Sequence, residues 1–204
     1  MDGLLVPHIA AGSLALVSAL TALTTHKGGK LHRYAGQLYF ASMVIIFITA
    51  VIMSLQTSNI FLLLVALFSF YLAFSGWRFA RNRSGNPHWI DWLAVSVLAF
   101  SGMLMWFLAL QSYPKFSSAS VPLGVFGLIA IVLSFFDARS HRDRAARGKV
   151  RIAKHLANML GGTIAVSTAV LVVNISFTPA WLGWILPTIL TLPVIIWWGK
   201  KVKA

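Results

Sequence analysis

The stretch HKGGKLHRYAGQLYFASMVIIFITAVIMSL, residues 26–55, indicates the fold class of the whole chain. It opens with a polar, basic turn that carries His26 and His32, and it continues as an apolar run with few polar interruptions. A transmembrane helix needs about 20 predominantly apolar residues. Residues 33–55 meet that length, so the stretch predicts a membrane-spanning helix that follows a charged turn.

The composition of the whole chain agrees with a membrane protein. Its 204 residues are 58% hydrophobic and only 10% charged, whereas a soluble domain carries roughly 25% charged residues. There is no cysteine, which excludes disulfides, thiolate metal ligands and a cysteine nucleophile. Four aspartates and no glutamate disfavour a carboxylate-driven proton pump or a hydrolase with paired carboxylates. The enzyme question stays open, because no hydrolase or nucleotide-binding motif is found.

Seven stretches are long and apolar enough to cross a bilayer, and short polar loops connect them. The N-terminal run has no basic segment before it, so we expect a retained span rather than a cleaved signal peptide. The fold class predicted is an all-α polytopic membrane protein in which residues 1–204 form a single transmembrane domain. The predicted spans are about 3–25, 33–55, 60–79, 90–111, 120–137, 152–175 and 180–199.

The basic residues predict one orientation. With seven antiparallel spans, all but one of the 17 lysines and arginines fall on one side of the membrane, and Lys115 lies on the other. Cytoplasmic loops carry such an excess. We therefore expect the N-terminus outside, the C-terminus in the cytoplasm and the chain in the bacterial inner membrane. The positive charge indicates topology and contact with anionic lipid headgroups rather than nucleic acid.

Three spans that begin on the basic side carry a histidine near their first turn. These are His32, His88 and His155. The partial positive charge of a helix N-terminus disfavours imidazolium, so the rings should be neutral and able to bind a metal. Asp91 adds a carboxylate that can pair with a buried cation or orient a histidine. The candidate metal ligands are therefore His32, His155, His88 and Asp91.

Helical spacing extends two of these positions into stripes. His32, Gly36, Tyr39 and Met43 share one face of the second span, and His155, Met159, Gly162 and Val166 share one face of the sixth. We predict a site for haem b, zinc or copper that serves electron transfer, formed by His32, His155, Tyr39, Met159 and Gly36. Gln37 and Asn158 add polar groups at the same level. The alternative is that His32 and His155 cap helix ends at the membrane interface.

His8 lies inside the first span, where an ionisable side chain indicates function by default. It predicts a protonatable gate in a small transporter or sensor, or else a histidine bonded to a backbone carbonyl. We expect His26 and His141 to be solvated among loop cations. A further hypothesis is a structural or lipid-binding partner of a larger complex, whose unknown protein partner contacts the basic loop 137–154.

The motifs PHIAAGSLAL, HKGGKLHRYAGQLYFASM and KHLANML, which begin at residues 7, 26 and 154, resemble the DUF2306-like family of uncharacterised bacterial membrane proteins. The resemblance implies a seven-span frame and no established activity. Cytochrome b561-like proteins, which hold haem between helices through histidine pairs, offer a comparison for His32 and His155. Zinc-binding proteins similar to hemolysin III have a late HxxxH motif, and here Met159 replaces its second histidine.

Overall fold

The computed structural model describes residues 2–112 and 118–204, and it confirms the predicted fold class. All seven helices found there are long and apolar enough to cross a membrane, which makes the chain a multi-pass membrane protein. Lys115, predicted on the outer side, lies outside the described residues. The helices are α1 Asp2–Thr24, α2 Lys30–Gln56, α3 Ile60–Arg81, α4 Trp89–Gln111, α5 Ser120–Arg142, α6 Gly148–Asn174 and α7 Trp181–Lys203.

The helices run further into the basic loops than the apolar stretches predict. α5 continues to Arg142 instead of ending at residue 137, and α6 begins at Gly148 instead of 152. Backbone hydrogen bonds of the helix continue into the polar residues beyond each apolar stretch, so the length of the apolar stretch underestimates the length of the helix. Only a short turn is left between α5 and α6, and Arg144 and Gly148 adopt positive φ angles of 49° there.

The chain divides into two compact units, residues 1–66 and 67–204, and each is described by itself. In the first unit α1 packs against α2. Ala11, Ala15 and Ala19 are buried at four-residue spacing on α1. Such small side chains let membrane helices approach closely, where packing rather than hydrophobicity drives association.

In the second unit α4 crosses α5 at two glycines. A Cβ on Gly127 would lie 2.9 Å from the Gly102 carbonyl oxygen and 2.8 Å from the Trp106 ring. A Cβ on Gly102 would lie 2.9 Å from the Cβ of Ala130. The backbones therefore approach at a distance that only glycine permits. α6 packs against α7 in the same unit.

Candidate functional site

A carboxylate lies fully buried in the second unit. Asp137, near the C-terminal end of α5, has 0% of its surface exposed. One of its carboxylate oxygens accepts a hydrogen bond of 2.6 Å from the Tyr71 hydroxyl of α3. The other oxygen accepts one of 2.5 Å from the Lys154 ammonium of α6. Asp137 thus joins three helices through charge-assisted bonds, which are stronger than neutral ones.

The Lys154 side chain, which pairs with Asp137, is only 20% exposed. Its ammonium also lies 5.3 Å from the centre of the Phe79 ring, a cation–π contact. Removing two charges from water is costly unless their pairing and hydrogen bonds are good. The lysine, the tyrosine and the aromatic ring together supply that compensation. The predicted role of Lys154 as a loop charge that sets topology was therefore incomplete.

A second buried ion pair lies at the same basic end of this unit. The Arg78 guanidinium donates to both oxygens of Asp91, at 2.6 and 2.7 Å. The backbone N–H of His88 donates to the same carboxylate at 2.8 Å. The buried Asp91 carboxylate therefore pairs with a partly exposed cation, since the Arg78 side chain is 24% exposed, and it also caps α4. His88 itself is the N-cap residue of α4.

His141 lies between aromatic rings, and the prediction that it is solvated was wrong. It is only 8% exposed. Phe79 stacks on its imidazole at 5.8 Å between ring centres, and Trp92 meets it edge-on at 5.7 Å. The cause is the continuation of α5 beyond Asp137, which places His141 one turn later on the same helix face. Four charges act electrostatically on its ring, namely Asp137, Asp91, Lys154 and Arg78.

A small cavity of about 10 Å³, lined by both polar and apolar side chains, lies beside these groups. This is about the volume that one water molecule needs. Side chains from three helices and two loop segments line the cavity, and its polar side chains are Tyr71, Ser75, Arg78, Asn82, Asp91 and His141. We call Tyr71, Asp137 and Lys154 together with Arg78, Asp91 and His141 the buried charge network.

Arg151 closes the last turn of α3. Its guanidinium donates to the carbonyl oxygens of Phe79 and Ala80, at 2.9 and 2.6 Å. The last carbonyls of a helix have no partner within the helix, and a cation there also matches the helix dipole. This contact holds α6 against the end of α3 that carries Arg78.

The predicted residues of the sixth span lie close to α3. The Nδ1 atom of His155 is 2.9 Å from the Gly76 carbonyl oxygen. A Cβ on Gly76 would lie 3.0 Å from the Met159 side chain, so α3 and α6 are in close contact here. Asn158 is 2% exposed and donates to the Lys154 carbonyl. Its side-chain oxygen has no hydrogen-bond partner among the described residues.

The predicted residues of the second span belong to the first unit. The Nδ1 atom of His32 is 3.0 Å from the Ala22 carbonyl oxygen. Tyr39 is buried, whereas Gln37 is exposed. A Cβ on Gly36 would meet no atom of the described residues within 4 Å. Because His32 and His155 lie in different units, their proximity stays a prediction.

His8 has a side-chain partner in the first unit. Its Nδ1 atom lies 2.8 Å from the Thr49 hydroxyl oxygen of α2. That hydroxyl also lies 2.8 Å from the Ile45 carbonyl oxygen, to which it can donate. If Thr49 donates to Ile45, then His8 must carry its proton on Nδ1 and donate to Thr49. The imidazole also hydrogen-bonds the backbone carbonyl of Ile46, so His8 has both a hydroxyl partner and the carbonyl partner that the alternative to a gate predicts.

Sequence reasoning missed Asp137, Tyr71, Lys154 and Arg78 as members of one site. A usable signal existed, because an aspartate followed four residues later by a histidine marks a polar stripe if the helix continues. Within residues 2–112 and 118–204, no three histidine, cysteine or acidic side chains come together as a metal would require. The predicted metal set therefore stays a prediction.

The fold and this network define a class, a multi-pass α-helical membrane protein with charges buried between its helices. Comparison of the chain with protein-family models, with curated proteins and with solved structures found no match.

Proposed function

We propose that the protein is a small proton-coupled membrane transporter and that Asp137 is its proton-binding carboxylate. One observation carries the proposal, namely that a fully buried aspartate lies between Tyr71 and Lys154 in an apolar helix bundle. Ionisable residues inside membrane helices are costly and commonly mark proton relays or ion pathways. The sequence disfavoured carboxylate chemistry because aspartates are few, but two of the four are in buried pairs.

Protonation of Asp137 gives the network two arrangements. The carboxylate holds the Lys154 ammonium and accepts from Tyr71. A neutral carboxyl attracts the ammonium much less, because the Coulomb attraction between the charges is lost. Lys154 is then released toward the basic loop, and the contact between α5 and α6 weakens. A proton is thereby linked to the packing of two helices, as coupled transport requires.

The placement in the membrane is part of the same proposal. The basic loops face the cytoplasm of a bacterial inner membrane, so the network lies toward the cytoplasmic side. The side chains of Arg139 and Arg142 are 63% and 72% exposed and are available to anionic lipid headgroups. His8 with Thr49 is a second protonatable gate in the other unit. Membership of the DUF2306-like family is likewise part of the proposal, and the three sequence motifs support it.

The test is proton movement into liposomes that contain the purified protein and a trapped pH dye. A potassium diffusion potential drives the flux. We expect flux above that of protein-free liposomes, lost in Asp137→Asn and retained in Asp143→Asn. Asp143 is a matched control because it lies in an exposed loop pair with Arg142. Equal flux in Asp137→Asn and the unaltered protein would contradict the proposal.

Haem or metal binding at His32 and His155 is a second candidate, and the geometry of each ring favours it. Each Nδ1 atom lies within hydrogen-bonding distance of a backbone carbonyl, which places the proton on Nδ1 and the lone pair on Nε2. Histidines that bind metals commonly have this arrangement. Met159 beside His155 would favour copper over zinc.

A visible spectrum and metal analysis of detergent-purified protein test this candidate, with haem precursor and trace metals supplied during growth. Haem would give a Soret band that His155→Ala or His32→Ala removes and His26→Ala retains, because His26 is exposed. Bound copper or zinc would be lost in the same two variants. A colourless preparation without stoichiometric metal rejects the candidate.

A further inference from the structure

We infer that a buried water molecule occupies the cavity beside Ser75 and connects His141 to Asp137 through a chain of hydrogen bonds. The water site stands on the geometry alone. Its role as a proton path rests on the proposed function. The water molecule would join His141 to the rest of the buried charge network. His141 would then be a second proton-binding residue, in addition to Asp137.

The cavity has the properties of a water site. Its volume of about 10 Å³ matches one water-sized sphere. Buried waters occupy polar cavities and make about three hydrogen bonds there, whereas apolar cavities of this size stay dry. Ser75, Asp91 and His141 all line this cavity and are each more than nine-tenths buried. They supply both donors and acceptors from three helices.

The bonds on one side of the cavity point toward Asp137. Tyr71 lines the cavity, and its hydroxyl donates to Asp137 at 2.6 Å. Ser75, one turn later on α3, hydrogen-bonds the Tyr71 hydroxyl. Because Tyr71 uses its only proton on Asp137, Ser75 is the donor in that bond. The Ser75 oxygen then accepts from the water.

On the other side of the cavity lies the one histidine in this network. A neutral imidazole can take up a proton and an imidazolium can release one, and His141 is the histidine that lines this cavity. The groups that act on its ring are Asp137 of α5, Asp91 of α4, Arg78 of α3 and Lys154 of α6. Burial is the largest influence on the ring and opposes its charged form, the two carboxylates stabilise that form, and the two cations oppose it.

The transfer balances without any other reactant. Imidazolium gives its N–H proton to the water, and the water passes one of its own protons to Ser75. Ser75 passes its hydroxyl proton to Tyr71, and Tyr71 passes its own to Asp137. Each O–H bond that breaks is replaced by one that forms. The net change is a neutral His141 and a protonated Asp137, with one proton moved between them.

Two variants with controls test the site. Ala94 lines the cavity from α4, and Ala94→Leu fills it. Ala99→Leu adds the same volume on the same helix outside the cavity. Ser75→Ala removes the relay hydroxyl without adding volume, and Ser75→Thr restores a hydroxyl. Infrared spectra in H₂¹⁶O and H₂¹⁸O identify internal water by its isotope-shifted O–H band, and liposome flux reports proton transfer.

We expect the water band in the unaltered protein and in Ala99→Leu, and its loss in Ala94→Leu. Proton flux should fall on the order of 100-fold in Ala94→Leu and Ser75→Ala, and Ser75→Thr should recover it. A band that survives in Ala94→Leu, or no band in the unaltered protein, overturns the inference. A band lost in Ala94→Leu from a protein without proton flux leaves the water site standing and rejects the proposed function.

Discussion

Lys154 on α6 bonds Asp137 on α5 across 17 residues of chain, at 2.5 Å between the ammonium and a carboxylate oxygen. The short turn between the two helices reverses the chain, with Arg144 at a positive φ angle. The antiparallel helices then bring a residue near the end of one to a residue near the start of the next. The ion pair therefore links the last turns of α5 to the first turns of α6 across the connecting turn.

Replacing Lys154 by methionine should leave Asp137 buried without its cation. We expect a loss of about 3–5 kcal/mol in the free energy of unfolding, because an uncompensated buried charge is strongly destabilising. Thermal unfolding in mild detergent measures it. Lys203→Met, at an exposed site near the C-terminus, should change little. A Lys154→Met protein as stable as the unaltered one would mean that the pair does not support the fold.

Arg78 should not be replaceable by lysine. The guanidinium makes two parallel hydrogen bonds to Asp91, and an ammonium cannot reproduce that fork. We expect Arg78→Lys to lose about 1–3 kcal/mol of stability, because a buried acceptor loses its partner. Arg83→Lys, on the exposed loop, is the control. The same melting temperature in both variants would contradict the importance of the bidentate pair.

The α4–α5 crossing predicts different effects for two neighbouring glycines. Gly127→Ala must push the helices apart, because its Cβ would lie 2.9 Å from a backbone oxygen of Gly102. We expect it to cost about 1–3 kcal/mol. Gly124→Ala meets only the Ala109 Cβ at 3.8 Å and should be tolerated, with alanine favouring the helix by up to about 1 kcal/mol. Thermal unfolding measures the stability of both variants. Equal stability of Gly127→Ala and Gly124→Ala would show that α4 and α5 can move apart without cost.

In the first unit, we expect Thr49 to stabilise the protein through its hydrogen bond with His8. Thr49→Val keeps the shape of the side chain and removes the oxygen that lies 2.8 Å from the imidazole. We expect a loss of about 1–3 kcal/mol, the cost of a partly buried donor without an acceptor. Thr24→Val is the matched control, since the Thr24 hydroxyl bonds only its own helix and is exposed. Thr49→Ser should restore the stability if the hydroxyl is the cause.

Orientation can be tested directly, because the chain has no native cysteine. Single cysteines at Arg144 and Lys149 should be protected from a membrane-impermeant thiol reagent applied outside the cell. A cysteine at Lys115 should react. The excess of basic residues in cytoplasmic loops is the physical basis. Labelling at residue 144 and none at 115 would reverse the topology and move the buried charge network to the outer side.

The seven spans could be predicted from the sequence, because a bilayer requires about 20 apolar residues for each crossing and charged turns separate the apolar stretches. It could not show which face of each helix points inward. Lipid tails are as apolar as a protein core, so lipid-facing and core-facing residues look alike in a membrane helix. Val17 is exposed and Ala15 is fully buried on the same helix, and both are apolar.

The contacts of the charged residues, in contrast, depend on how the helices pack. Asp137, Lys154 and Arg78 lie at the ends of apolar stretches, where the composition assigned them to loops or to topology. Whether such a residue faces water or a neighbouring helix depends on where the helix ends and how the helices pack. The continuation of α5 by five residues beyond the predicted end turned His141 from a loop residue into a buried one. The rings that cover His141, Phe79 and Trp92, are distant in sequence, so the residues around position 141 do not predict these contacts.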